Sequence, residues 1–177
     1  MFAAVVFAVY RYRYPYGTRP ACLPLFLGAL KSYSIEHGGF FPNNGKEPLE
    51  ALRELYPKYL PDCEPLAGLS GNRKLLKEQI SEKAKITERA SSWVYWPGLR
   101  SDDDEHIALF WERRSGVRFN GSRAEGREVG FVNGVFRQVP DDRWPDFLKD
   151  QESLRGKAIK SRHGEKRLPP TRNAKLE

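Results

Sequence analysis

The chain has 177 residues, 40% of them hydrophobic, and a formal net charge of +7. That is one domain's worth of chain with room for tails, and enough apolar residues for one core. Eight basic residues against two acidic ones fall between Arg155 and Glu177, so the excess charge sits at one end and gives no sign of a basic nucleic-acid-binding body.

In chain order, Met1 to Tyr10 is uniformly apolar, about half of the ~20 residues that a membrane-spanning helix needs. Tyr10, Tyr12, Tyr14 and Tyr16 then interleave with Arg11 and Arg13, as at a membrane–water boundary. Residues 1–16 read either as a partial membrane-anchor-like segment or as a buried N-terminal element of a soluble protein. No basic residue precedes the run, unlike a secretory signal, and Arg19 and Pro20 do not suit a lipoprotein site at Cys22.

From Cys22 onward the pattern is helical. Leu23, Phe26, Leu27, Leu30, Tyr33 and Ser34 recur at three- and four-residue steps, one face of an amphipathic helix. Pro24 suits its first turn, and Gly38 and Gly39 suit its stop. Phe40, Phe41 and Pro42 follow as an extended hydrophobic clasp. After a turn at Asn43-Asn44-Gly45, Pro48 opens a second short helix with Leu49, Leu52, Leu55, Tyr56 and Tyr59 at helical spacing, closed by Pro57 and Pro61. Lys74 to Ala90 is highly charged and reads as a solvated helix or a mobile loop.

The second half changes period. Ser92 to Gly98 is rich in strand formers and stops at Pro-Gly, and His106 to Glu112 is a second strand candidate. Glu128–Val132 and Val135–Val139 flank Asn133-Gly134, a strong hairpin signal. A two-residue turn there sets Val132 opposite Val135 and Phe131 opposite Phe136. Val129, Phe131 and Phe136 then share the face turned to the first helix. Asp141 to Leu154 reads as a short terminal helix with Trp144, Phe147 and Leu148 on its apolar side. Residues 155–177 read as a disordered basic tail.

Several of these stretches resemble the bacterial prepilin-like proteins, pseudopilin relatives that carry a C-terminal His-x9-Asp-Gly motif. Cys22, Leu27, Ala29, Leu30, Tyr33, Gly38, Gly39, Phe41 and Pro42 fit the segment that follows their membrane helix. Ser91 to Leu99 is similar to their Tyr-x-Tyr-x-Pro-Gly strand, and Leu109 to Glu112 to the strand after it. Gly126 to Val135 is similar to their Gly-x-Asn-Val-x-Phe-x-Asp-Gly-His-Val hairpin. The motif's own letters differ: Asn133 stands for the Asp and Arg123 for the His. Asn keeps the turn chemistry, whereas Arg123 removes any metal or proton-transfer role. The leader Gly-Phe-Thr-Leu-x-Glu is not in the sequence, so the chain reads as a shortened relative or as one whose start lies upstream.

The resemblance implies an α+β domain over residues 17–154, with an N-terminal amphipathic helix packed on a small antiparallel sheet. It implies a non-enzymatic subunit or accessory of a type II secretion or type IV pilus-like assembly. The expected partners are pilin-like subunits through the N-terminal helix and a membrane through residues 1–10 or residues upstream; nucleic acid is not expected. The domain is then expected in the periplasm or outside the cell, anchored at the inner membrane, or in the cytoplasm if Met1 is the true start. The runner-up is a small soluble module that contacts nucleic acid or an anionic surface through the basic tail.

The residues themselves offer little chemistry. Gly-x-Ser-x-Gly, His-Glu-x-x-His, a Gly-rich phosphate loop and Cys-x-x-Cys do not occur, so no catalytic residue, cofactor or metal is expected. His37, His106 and His163 fall in a helix end, a strand start and the tail. Asp102-Asp103-Asp104-Glu105 lacks the alternation of a calcium loop and reads mainly as solvated. Trp93, Tyr95, Trp96 and Trp111 read as core and partner packing rather than a stacking platform. Cys22 and Cys63 would close a loop of about 40 residues, contributing roughly 3–4 kcal/mol, or stay as two separate thiols. The resemblance tilts toward an exported chain, where the bond is tolerated.

Overall fold

The computed structural model describes residues 2–14, 22–43, 47–118, 120 and 122–165. Among them the domain is α+β. Helices α1 (Phe2–Arg13), α2 (Cys22–Glu36), α3 (Pro48–Leu52) and α4 (Arg73–Ser81) precede strands β1 (Trp93–Tyr95), β2 (Ala108–Glu112), β3 (Arg127–Phe131) and β4 (Phe136–Val139), and α5 (Trp144–Glu165) follows. The strands form an antiparallel meander in sequence order.

Helix α2 has the expected bounds and the expected face. Leu23, Phe26, Leu27, Leu30, Tyr33 and Ser34 are all buried, while Leu25 and Ile35 point to solvent. The helix ends where Gly38 and Gly39 take positive φ, 61° and 88°, a geometry that costs other residues a Cβ clash. Its central contact with the sheet is aromatic. Phe26 stacks on Trp93 at 5.3 Å and meets Phe110 edge-on at 4.7 Å. Trp93 Nε1 donates to Pro65 O, so the buried indole is satisfied. The clasp is half right: Phe41 is buried and its N–H donates to Leu99 O, while Phe40 is 45% exposed under the Arg100 guanidinium. Pro48 opens α3, and a 3₁₀ turn at Arg53–Leu55 continues it.

The charged stretch 74–90 resolves into helix and tethered loop. Asn72 caps α4 by accepting from Leu75 N–H, and Leu76 is buried. Beyond the helix, Ile86 N–H donates to Glu50 Oε1 and Arg53 donates to Ala84 O.

The sheet is covered on both faces. Trp93, Tyr95, Leu109 and Phe110 face α2, whereas Ala108, Trp111, Val129, Phe131, Val139 and Trp144 form a second cluster on which Phe147 and Leu148 of α5 pack. Gln151 fixes the register of α5: its Oε1 accepts from Ala108 N–H at 2.6 Å, and its Nε2 donates to His106 O.

Two expectations need correction here. The first is the hairpin. Gly130 rather than Phe131 lies opposite Phe136. Gly134 N–H donates to Phe131 O and Phe131 N–H to Val135 O. Positive φ occurs at Gly134 (82°) and not at Asn133. The connection is a three-residue loop, a turn closed by a left-handed glycine. The extra loop residue shifts the pairing by one, and a one-residue shift exchanges faces. Val129 and Phe131 therefore face α5, and only Phe136 packs with the α2 core. Asn133 serves the turn differently, its Oδ1 accepting from Val135 N–H. Gly134→Val should lower stability by about 1–2 kcal/mol through the left-handed backbone. An unchanged urea midpoint would remove this loop geometry.

The second is the C-terminal segment. The helix expected to end at Leu154 continues to Glu165, into the stretch expected to be disordered. Its basic residues find partners far upstream, which no local pattern reveals. Arg155 stacks over Trp96 at 4.9 Å and donates to Pro97 O. Arg162 donates to Gly98 O at 2.7 Å and pairs with Asp103 at 3.1 Å. Residues 166–177 lie outside the described residues. Because the Asp103 side chain is only 8% exposed, Arg162→Ala should cost about 2–3 kcal/mol. A chain ending at Glu165 keeps these contacts and should melt with the full chain, which differential scanning calorimetry would check.

Candidate functional site

The most distinctive surface is at the N-terminal end. Ala3, Ala4 and the valines of α1 carry no proline or glycine break, and the helix closes just before Pro15 in the sequence. Its apolar residues do not join the core: Val5, Val6, Phe7 and Val9 are 52–67% exposed. No acidic residue occurs in its first turn, and Arg11 and Arg13 sit in the last, where positive charge complements the helix dipole.

Arg123 ties this helix to the domain. Its N–H donates to Arg13 O at 2.7 Å and its Nε to Tyr12 O at 3.2 Å. Its guanidinium lies 4.7 Å from the Tyr12 ring centroid. Carbonyls at a helix end have no partner within the helix, and Arg123 supplies one. Arg123 itself is held by the Val117–Arg123 bridge. Sequence reasoning marked this position only as a lost motif histidine; its capping role carries no local signal, because the two residues are 110 apart in the chain. Between α1 and this ribbon lies a cleft of about 900 Å³, lined among others by Tyr12, Arg13, Arg118, Arg123, Glu125 and Gln138.

The residues singled out from the sequence are dispersed. Asn133 and Gly134 serve the hairpin, with no contact to Arg123 among the described interactions. Cys63 is a buried free thiol, and burial pushes its pKa up. The side chain of Cys22 lies outside the described residues, and so does that of His163. His37 stacks on Tyr33 at 3.7 Å and donates from Nδ1 to Tyr33 O. In the acidic loop Asp102 pairs with Arg100, Asp103 with Arg162 and Asp104 with His106. Those carboxylates bind the loop to α5 and to its own cations, and no metal-holding group of His, Cys, Asp and Glu is found among the described residues. Trp93 and Tyr95 are core; Trp96, Trp111 and Trp144 run edge-to-face behind the sheet.

Two polar clusters escaped the sequence reading. Tyr33 donates to Glu54, and Tyr59 and Lys58 both donate to Glu36. Burial, then the Glu54 carboxylate, raises the Tyr33 pKa. The second is Glu112, fully buried on β2. It accepts from Leu69 N–H at 2.9 Å, Ser70 Oγ at 2.6 Å and Ser92 Oγ at 2.8 Å. Burial pushes its carboxyl up while these donors oppose. Both clusters hold distant segments of the chain together.

Comparison with protein-family models, with curated proteins and with solved structures returns no match.

Proposed function

We propose that this chain is a non-enzymatic pilin-like subunit or accessory of a type II secretion or type IV pilus-like assembly, with its domain on the periplasmic or outer side of a membrane. One observation carries the reading. An apolar helix whose Val5, Val6, Phe7 and Val9 are each more than half exposed stands beside a domain built from a helix packed on an antiparallel meander. Exposed apolar area of this kind is a surface for association. No described helix is long and apolar enough to cross a membrane; the role proposed for α1 is contact through its exposed apolar side chains with neighbouring subunits and with lipid at the membrane boundary. The soluble tail-binding alternative has less support, since Arg155 and Arg162 already hold partners on the body.

Sedimentation velocity on the purified chain tests this. Wild type should associate with rising concentration, and Val6→Asp/Phe7→Asp should be monomeric with an unchanged melting temperature. A wild type that is monomeric at every concentration overturns the subunit role.

A further inference from the structure

We infer that the cleft between α1 and the Val117–Arg123 bridge is a binding site for the phosphate headgroups of an anionic membrane. The inference rests on the reading of α1 as the membrane-facing element, and adds to it a chemical preference located on the folded body. Three arginines, Arg13, Arg118 and Arg123, are among the described residues lining the cleft, against one acidic residue, Glu125. Arg118 is exposed and its backbone is fixed by a bond from its N–H to Ser122 O at 2.8 Å. Its side chain makes no ion pair or hydrogen bond among the described residues. Arg123 is held in place from behind by Tyr12, which orients its guanidinium without neutralising it. Gln138 also lines the cleft, and its Nε2 is a buried donor without a partner. The cleft therefore offers fixed donors and net positive charge, which suit a phosphate oxyanion.

The surroundings decide which phosphate. Val9 and Tyr12 belong both to the cleft wall and to the exposed apolar helix. Apolar side chains at the acyl boundary beside arginines at headgroup level is the arrangement of an interfacial element. A nucleic-acid site would offer several open aromatic faces for stacking, whereas among the described residues the cleft is lined by one aromatic ring, Tyr12, and Arg123 occupies one of its faces. Arg123 also ties the C-terminal end of α1 to the Val117–Arg123 bridge, so the cleft and the tyrosine–arginine end of the helix lie at one depth.

Vesicle flotation of the full chain tests the site, using phosphatidylcholine vesicles with and without phosphatidylglycerol, at low and physiological salt. Wild type should prefer the anionic vesicles, the more so at low salt. Arg118→Gln should reduce anionic binding about five-fold, the effect of one charge at such a surface, and leave both the melting temperature and the weaker binding to neutral vesicles unchanged. A chain ending at Glu165 should keep the preference, which separates the cleft from the basic terminus. Equal binding to both vesicles, wild-type behaviour of Arg118→Gln, or loss of the preference with the terminus overturns the cleft. Displacement by inorganic phosphate from anionic and neutral vesicles alike also overturns it in favour of a free-phosphate site. Phe7→Asp separates the two readings. If it abolishes neutral binding while Arg118→Gln changes nothing, the helix stands and the cleft falls. If wild type floats with neither vesicle, both membrane readings fall.

Discussion

Gly130→Ala should cost about 3 kcal/mol, the upper end of the range for overpacking, and Gly130→Val more. Gly130 lies on β3 opposite Phe110 and Phe136, and a Cβ there overlaps the Phe110 ring. The ring has nowhere to go. Phe26 meets it edge-on at 4.7 Å and Trp93 at 5.0 Å, and all three residues are fully buried. Close-packed interiors transmit such an overlap rather than absorb it. Urea denaturation gives the loss directly. A double mutant with Phe110→Leu should lose less than the sum of the two single changes, because the smaller side chain makes room for the methyl. Strict additivity would show that the glycine is needed for some reason other than this ring.

Glu112→Ala should be comparably severe, about 3–5 kcal/mol. It orphans Leu69 N–H and the Ser70 hydroxyl, takes from the Ser92 hydroxyl one of its two acceptors while Ala67 O remains, and opens a hole under the loop that Glu112 pins to the sheet. Gly68 in that loop has φ +77°, and a Cβ there would overlap Ser92 Oγ and press on Glu112, so the loop backbone passes close over this group. The titration has a definite sign. Burial raises the folded pKa above the unfolded one. The protonated group therefore contributes stability that is fully present below the unfolded carboxyl pKa, about 4.3, and is lost as pH rises through the folded value. From about pH 4 upward, wild type should lose stability relative to Glu112→Gln. A difference that stays flat across pH would mean that the hydrogen bonds cancel the effect of burial and leave the carboxyl pKa at its unfolded value.

Local periodicity made much of this fold legible. The face of α2, its glycine stop and the four strand positions follow from spacing alone, because each element is amphipathic over its own length. What failed depended on one residue of register or on distant partners. Asn133-Gly134 announced a hairpin correctly, but the same dipeptide fits a two-residue turn and a three-residue loop, and the choice sends Phe131 to one face or the other. The helix through Arg155 and Arg162 is stabilised by Trp96, Gly98 and Asp103, contacts that a basic run does not advertise. The candidate site was half visible. The apolar run of α1 stood out at once, but the arginines of the cleft come from α1 and from a ribbon over 100 residues later, and nothing in either stretch names the other.

The strand β2 contains an irregularity with a wider reach. Ala108 pairs with Phe131 and Phe110 with Gly130, so Leu109 is an extra residue against β3. Leu109 and Phe110 consequently both face the α2 core, while Ala108 before them and Trp111 after them face α5. This bulge is what allows one short strand to feed two hydrophobic layers and still turn Glu112 toward Ser70 and Ser92. It also fixes where the strand can change length. Deleting Leu109 would restore plain alternation with Ala108, Phe110, Trp111 and Glu112 each in its present layer, at the cost of one buried side chain in the α2 core. Losing a residue on either side of the Leu109–Phe110 pair would instead exchange the layers along the rest of the strand. In evolutionary terms, the bulge is the one place in this strand where the residue count can fall by one without moving side chains from one layer to the other.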